Sequence, residues 1–520
     1  MTTSTVTPYR SELTAGRDSF GRLLRAEWTK FRTVRGWIVG VFIAALVTVG
    51  IAMLDHSSCG NDDNGVASAC SSPIGPDGEA VTDSYAITQQ PMTGNGTITA
   101  RVTSLAGGLV GSGGAGTGAP VDWAKAGILI APNFDQGSAY AAMMVTGDHG
   151  VRMQYNYIHD TPGLAGSVSA ASPRWLRLTR SGDTITGYES TDGTTWTEVG
   201  TADLPGLPAT VRAGMFATSP STSIAGSSSL GGSSGGGAAM QATGTFDHIS
   251  VQSQSPVSTW SPALVGGGPS GKTTTYPQPG QSNAFQQSGG TFTVTGSGDI
   301  SPAGNGTPVE RTLFGVLGAV IAVIVVAAMF ATAEYRRGLI RVTLVANPRR
   351  GRVLAAKALV AGAVGFAAGL VGACVALPLG EQLLRSDGNF ILPVGGITVA
   401  RILLGTGLLV AVTAVLATAL GALVRSSAAA ITIGIVAIVL PYLLATLNLP
   451  TNAADWLMRA TPAAAFSIQQ TVMQYPQVDG SYTIGNGYFP LAPWAGFAVL
   501  CGYTAVLLAL AAARLQKQDA

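Results

Sequence analysis

Charge is scarce in this chain. Asp, Glu, Lys and Arg make up 11% of its 520 residues, less than half the roughly 25% of ordinary soluble domains. A single water-soluble globule is therefore excluded. Basic and acidic residues nearly cancel, 29 against 27, so no global field recommends nucleic acid as a partner. Histidine is rarer: His56, His149, His159 and His248 are all there is, and their spacing matches no metal-ligand pattern, so no metal is expected. Asp and Glu are scattered through turn-like sequence. They offer no defensible pair of catalytic carboxylates, so no catalytic residue is assigned.

The missing charges are missing from particular places. Six runs, roughly Gly36–Leu54, Leu313–Ala333, Val353–Leu377, Ile402–Val424, Ala428–Leu447 and Leu491–Ala513, are long, apolar and free of carboxylates. Each is about the ~20 residues that a helix needs to cross hydrocarbon, where nothing else satisfies a bare backbone. Ion-driven carriers hold their ion on carboxylates or histidines within the membrane; these runs have none, and Lys357 is the one charge inside them. Any driving energy must come from elsewhere.

Lys and Arg set the orientation. Residues 1–35 carry seven, residues 334–357 another seven, and Arg425, Arg514 and Lys517 follow on the same side. The short loops opposite hold Arg385, Arg401 and Arg459. Both termini and the basic loop are expected in the cytoplasm, with residues 55–310 outside. The first run reads as an uncleaved anchor, because no small-residue cleavage pattern follows it. Cys59 and Cys70 fall outside, eleven residues apart, and are expected to form a disulfide. Cys374 and Cys501 lie within runs and read as buried small apolar residues.

The domain plan that follows is a tail and amphipathic helix over 1–35, a span over 36–54, a loop over 55–91, a β-sandwich over 92–252, a linker over 253–310 and a five-span bundle over 311–520. In the first segment, Phe20, Leu24, Trp28 and Phe31 mark one face of a helix over 17–35 and arginines the rest, as in a helix lying on a membrane surface. The sandwich is read from nine short strands: Thr97–Leu105, Ala126–Ala131, Tyr140–Val145, Val151–Ile158, Trp175–Arg180, Thr184–Glu189, Trp196–Val199, Val211–Ala217 and Phe246–Val251. Ser181-Gly182-Asp183 and Asp192-Gly193 are hairpin turn signals. With no helical pattern between them, an antiparallel sandwich follows. Ser227–Ala239 reads as a floppy Gly/Ser insertion, and 253–310 is Pro-, Gly-, Ser-, Thr- and Gln-rich. Small residues at Gly315, Gly318, Gly362, Gly365 and Gly369 are expected to let helices approach closely, and Pro441 to kink the fifth span.

Residues 266–273, Gly-Gly-Gly-Pro-Ser-Gly-Lys-Thr, match the phosphate-loop pattern letter for letter. The match is rejected: a phosphate loop needs a strand before it and a helix after it, and Thr274-Thr-Tyr-Pro-Gln-Pro-Gly280 cannot be helical. The basic stretch over 334–350 is more informative. Leu339, Ile340, Leu344 and Val345 mark an apolar face opposite arginines, and Asn347-Pro348 stops it. It reads as a short interfacial helix just below the second span.

At these residues the chain resembles the ABC-2 family of ABC-transporter permeases. The resemblance is carried by Leu23-Leu-Arg-Ala-Glu-Trp-Thr-Lys-Phe31, by Glu334-Tyr-Arg-Arg-Gly338 and by Pro348-Arg-Arg-Gly-Arg352 leading into the third span. It covers about 1–54 and 311–515 and implies an elbow helix before the first span and a coupling helix after the second. Glu334, Tyr335, Arg336, Arg337, Gly338 and Arg341 would then seat on a separate ATPase subunit, which uses ATP and Mg; this chain itself would bind no cofactor. The resemblance further implies a permease homodimer or heterodimer and export as the direction of transport. The long outer segment departs from the family pattern. It resembles a concanavalin/laminin-G-type jelly roll through Trp175–Asp183 and Ser190-Thr-Asp-Gly-Thr-Thr-Trp196. Such modules often bind glycans, which makes Trp123, Tyr155, Tyr157, Tyr188 and Trp196 candidates to stack on sugar faces.

The expected fold is therefore a six-span α-helical membrane protein carrying an inserted all-β sandwich. The expected function is the permease subunit of an exporter driven in trans. A second reading, a membrane-anchored glycan-binding or sensor protein, has difficulty with six spans where one would suffice.

Overall fold

In lipid, a helix is the cheapest way for an apolar run to satisfy its own backbone, and the six runs are helical. The computed structural model describes residues 20–54, 72–110, 118–227, 233–254, 259–266, 274–275, 284–302, 306–336, 338, 349–446, 449–478 and 482–517. Its six long apolar helices are Arg35–Leu54, Val309–Tyr335, Arg350–Ser386, Gly396–Val424, Ser427–Thr446 and Pro493–Lys517. The sandwich is inserted between the first two, so Leu54 and Val309 lie at one end of the bundle, the sandwich end. Arg35, Tyr335 and Arg350 lie at the other, the basic end. The third helix runs on past Leu377 through Pro378 to Ser386, and the fifth continues through Pro441.

Close helix contacts occur at the expected small residues. A Cβ on Gly315 would sit 2.5 Å from the Thr48 carbonyl, and one on Gly369 would sit 2.9 Å from Val410. Cys374 and Cys501 differ from expectation: Cys374 is exposed and Cys501 half-buried, because both lie on the outer surface of the bundle, where an apolar thiol needs no cover. The stretch between the fifth and sixth spans is also more structured than its sequence suggests. Thr451–Ala460 is an amphipathic helix, and the 3-10 turn Pro462–Gln469 is buried throughout.

All nine expected strands are present, and they form two antiparallel sheets. One runs Thr197–Asp203, Thr184–Ser190, Arg174–Ser181, Gly96–Leu109, Met240–Gln252, Thr291–Ser297, Phe285–Ser288. The other runs Thr274–Thr275, Ser261–Val265, Tyr85–Thr93, Thr210–Thr218, Lys125–Ala131, Ala141–Thr146, Val151–Tyr155, His159–Pro162. Their facing sides share a core that includes Ile98, Leu176, Leu178, Ile185, Ile128, Ile130, Met143, Met153 and Phe246. A second core of Tyr85, Ile87, Leu129, Tyr140, Tyr157 and Phe216 covers the far side of the larger sheet. That explains why Lys125–Ala131 is buried at every position rather than at alternate ones.

The boundaries 92–252 were too narrow, and the linker over 253–310 is not a simple linker. Strands Tyr85–Thr93, Ser261–Val265, Phe285–Ser288 and Thr291–Ser297 join the two sheets, and Val81–Asp83 pairs with Ile300–Pro302 where the chain enters and leaves. Composition hid them: Phe292 and Val294 point into the core from a Thr/Gly-rich strand. Within the expected floppy insertion, Ser233–Ala238 pairs with Thr222–Ser227 as a two-stranded ribbon. The phosphate-loop look-alike begins after strand Ser261–Val265, its residues 267–273 lie outside the described residues, and Thr274–Thr275 pairs back onto Ala263 and Leu264. A strand follows it, as its rejection requires.

The neck of the sandwich buries two carboxylates. Asp83 accepts hydrogen bonds from the Gly137 N–H at 2.9 Å and the Tyr157 hydroxyl at 2.8 Å. Lys125, fully buried, donates to Asp299 and to the Ile300 carbonyl, both at 2.6 Å. From the membrane half, Gln477 donates to the carbonyls of Tyr157 and Ile158 at 3.4 and 3.1 Å, joining the sandwich to the loop before the sixth span.

Candidate functional site at the basic end of the bundle

The helix Phe20–Thr33 precedes the first span. Its inward stripe is Phe20, Leu24, Glu27 and Phe31, not the expected stripe through Trp28, whose ring is 46% exposed. The steps 20, 24, 27, 31 keep helical periodicity, and one member of this apolar stripe is a carboxylate. Glu27 is wholly buried.

It belongs to a charged cluster drawn from three helices. Lys357, in the first turns of the third span, donates to Glu27 Oε2 at 2.9 Å and to Glu334 Oε1 at 3.2 Å. Lys30 donates to Glu27 Oε1 at 2.6 Å and to Glu334 Oε1 at 2.7 Å. Each lysine thus bridges the same two carboxylates, and the four charges sum to zero. Burial draws the Lys30 ammonium down, but its hydrogen bonds to Glu27 and Glu334 outweigh this and hold its pKa above the ordinary lysine value. Lys357 Nζ also lies 4.4 Å from the Phe330 ring centroid. Phe31 and Trp37 meet Phe330 edge-on at 5.4 and 5.1 Å. This aromatic wall keeps the cluster on the dry side of the helix contact, where a Coulomb interaction is strongest. Glu334 Oε2 has no hydrogen-bond partner among the described residues.

The residues expected to seat on an ATPase are distributed unevenly. Glu334 is inside this cluster, its carboxylate held within the subunit. Tyr335 is half-buried, with the Arg425 guanidinium 5.3 Å from its ring. Arg336 ends the α-helical part of the second span, Val316–Arg336. Gly338 is exposed, takes φ +67° and donates its N–H to the Tyr335 carbonyl, a left-handed helix stop that suits glycine. Arg337 and Arg341 lie outside the described residues, as does most of the expected interfacial helix over 334–350. Close by, Arg350 donates to the Leu515 carbonyl at 2.8 Å, tying the third span to the end of the sixth.

Cys59 and Cys70 also lie outside the described residues. Of the five candidate sugar-stacking rings, Trp123 and Tyr157 are core residues, 3% and 1% exposed. Tyr155 is stacked on His159. Tyr188 and Trp196 are half-buried on the smaller sheet, with the Arg177 guanidinium 3.6 Å from the Trp196 ring. Among the described residues no group of His, Cys, Asp and Glu has the makings of a metal site.

Residue-level reasoning gave no role to Glu27 or Lys357 and placed Lys30 on the basic face turned toward the membrane head groups. Lys357 carried a signal, as the one charge inside a run. Glu27 carried a fainter one, as the polar member of an apolar stripe.

Comparison with known proteins bears on the two halves differently. No curated protein matches the chain. The solved structures it resembles each cover less than half of it. SCP-B, a member of the Eqolisin family of peptidases in a complex with the tripeptide Ala-Ile-His, is 13% identical and matches 42% of this chain and 99% of its own, with a TM-score of 0.24. Scytalido-glutamic peptidase with a transition-state analog inhibitor is 11% identical over 42% and 99%, with a TM-score of 0.25. A GH43 protein from Bacillus licheniformis is 17% identical over 31% and 27%, with a TM-score of 0.18. At such scores none of them bears on what the sandwich does. The family described as ABC-2 family transporter protein, by contrast, matches residues 22–520. Six spans and a match over almost the whole chain lead to one conclusion: the protein belongs to the ABC-2 transporter family, as a multi-pass plasma-membrane permease subunit.

Proposed function

We propose that this permease exports its cargo under the drive of a separate ATP-hydrolysing subunit, which docks at the basic end of the bundle. Both termini and the segment 337–349 then face the cytoplasm, and residues 55–310 face outward. ATP and Mg belong to the partner. Tyr335, Arg336, Arg337, Gly338 and Arg341 form the docking contact, with a second permease copy or a related chain completing the assembly.

One observation carries this reading: two lysines each bridge the same two carboxylates from three elements. Those elements are the helix before the first span, the end of the second span and the start of the third. The last two flank the segment proposed to dock. If one element moved alone, it would strand a buried charge, at a cost of roughly 3–5 kcal/mol. A push on the segment therefore moves all three together, as a relay between hydrolysis and the spans requires. Glu334 is a positioning residue in this scheme, not a docking one.

The test is co-purification of the chain with the ATPase subunit from the same host. Arg336→Glu combined with Arg341→Glu should abolish it. Assembly that survives both reversals removes the docking assignment, and ATP hydrolysis by the purified chain alone removes the need for a partner.

A further inference from the structure

At the opposite end, the bundle carries an open cavity of about 650 Å3, within the ~300–1,000 Å3 range of small-molecule sites. Its walls are the end of the first span, the start of the second, the fifth span, the buried turn Pro462–Gln469 and the loop 484–489. From these observations we infer that it binds an amphipathic organic cation.

Glu310 lines this cavity and is buried. It accepts hydrogen bonds from the backbone N–H of Thr471 at 3.0 Å and from the Thr471 hydroxyl, and the backbone N–H groups of Glu310 itself and of Val472 also favour its charged form. All of these donors are neutral. Among the described residues Glu310 takes part in no ion pair, unlike Glu27 and Glu334. Arg401 is drawn to it electrostatically, but its guanidinium donates to the Gln470 carbonyl. Arg311 is exposed at the rim. A buried carboxylate that no ion pair among the described residues neutralises favours a cation beside it.

Three aromatic rings stand next to it in a row. Phe314 and Tyr442 are 6.4 Å apart, and Tyr442 and Phe466 4.5 Å. Their faces attract a cation further, and Ile51, Leu54 and Leu313 offer surface to an apolar body. A bare metal ion would find one carboxylate and few other oxygens; a drug-sized amine or onium compound finds both of the contacts it needs. The inference deepens the export reading by naming a cargo class and depends on that reading only for the word cargo.

The experiment uses the full-length chain in lipid nanodiscs, with neither ATPase nor nucleotide. Binding of radiolabelled tetraphenylphosphonium is measured against empty nanodiscs and against tetraphenylborate, which has the same shape and the opposite charge. Saturable binding of the phosphonium alone is expected, weakened about tenfold by Glu310→Gln and several-fold by Phe314→Ala. Glu381→Gln, whose carboxylate pairs with Arg385, should leave it unchanged. Equal uptake of the borate, or undiminished binding by folded Glu310→Gln, overturns the inference. If Glu310→Gln does not fold, Phe314→Ala decides, because its half-exposed ring is no fold requirement, and full binding there overturns the inference as well. Because no partner is present, failed co-purification would sink the export reading and leave this result standing, and the reverse also holds.

Discussion

The neck of the sandwich and the basic end of the bundle both bury carboxylates, and Asp83 at the neck, unlike its neighbour Asp299 beside Lys125, is compensated in a different way from the bundle's pair. In the bundle, Glu27 and Glu334 face Lys30 and Lys357, charge against charge. At the neck, Asp83 meets only neutral donors, the Gly137 N–H and the Tyr157 hydroxyl. Burial outweighs those two bonds and pushes its pKa up to about 6. A paired charge resists titration but punishes the loss of a partner; an unpaired one tolerates neutralisation and responds to pH.

The largest effect should come from unbalancing the cluster. Lys357→Met leaves two buried carboxylates with one half-exposed lysine and should destabilise the chain by roughly 3–5 kcal/mol, read as a fall in Tm of the purified protein. Glu27→Gln in the same chain should restore much of that loss, giving a strong coupling in the double-mutant cycle. Additive losses would mean that the cluster is not a unit.

Asp83 should behave in the opposite sense. Its folded pKa is raised, so the folded state binds its proton more tightly than the unfolded chain does. The stability it confers is complete below about pH 4 and is lost as pH rises through about 6. The shift corresponds to a contribution of the order of 3 kcal/mol. Asp83→Asn should gain on the parent in thermal unfolding between those two pH values and hold a constant lead above them. A lead that does not change with pH would show that Asp83 is as well compensated as Glu27.

Smaller effects separate the regions further. Gln477→Ala removes two donations to the sandwich and should cost about 1 kcal/mol, seen as faster proteolysis of the loop before the sixth span with the bundle's Tm intact. Least of all, Arg177→Ala should cost about 0.5–1 kcal/mol and alter the Trp196 fluorescence, leaving the membrane half untouched.

Legibility followed the same division. Strand positions such as Ile98, Leu176 and Leu178 alternate with polar neighbours, so the sheet that faces water on one side was easy to find. Tyr85–Thr93 and Thr291–Ser297 were missed because Gln, Thr and Gly dominate them and few apolar side chains mark the inward face. Lys125 read as the residue before a strand, yet it is the buried partner of Asp299. Nothing in the residues around Glu310 marked it, since its surroundings come from the fifth span and from loops far along the chain.

What the sequence determined by itself was the number of spans and the existence of the sandwich, while the family came from a resemblance carried by short motifs beside the first three spans. Spans and strands rest on periodicity and composition within some twenty residues, because a helix in lipid satisfies its own backbone and a half-buried strand alternates its side chains over that distance. Tertiary structure alone decided which charges meet. Lys357 reaches Glu27 across 330 residues of chain, and whether a buried carboxylate finds an ammonium, a hydroxyl or an open cavity depends on how whole helices pack.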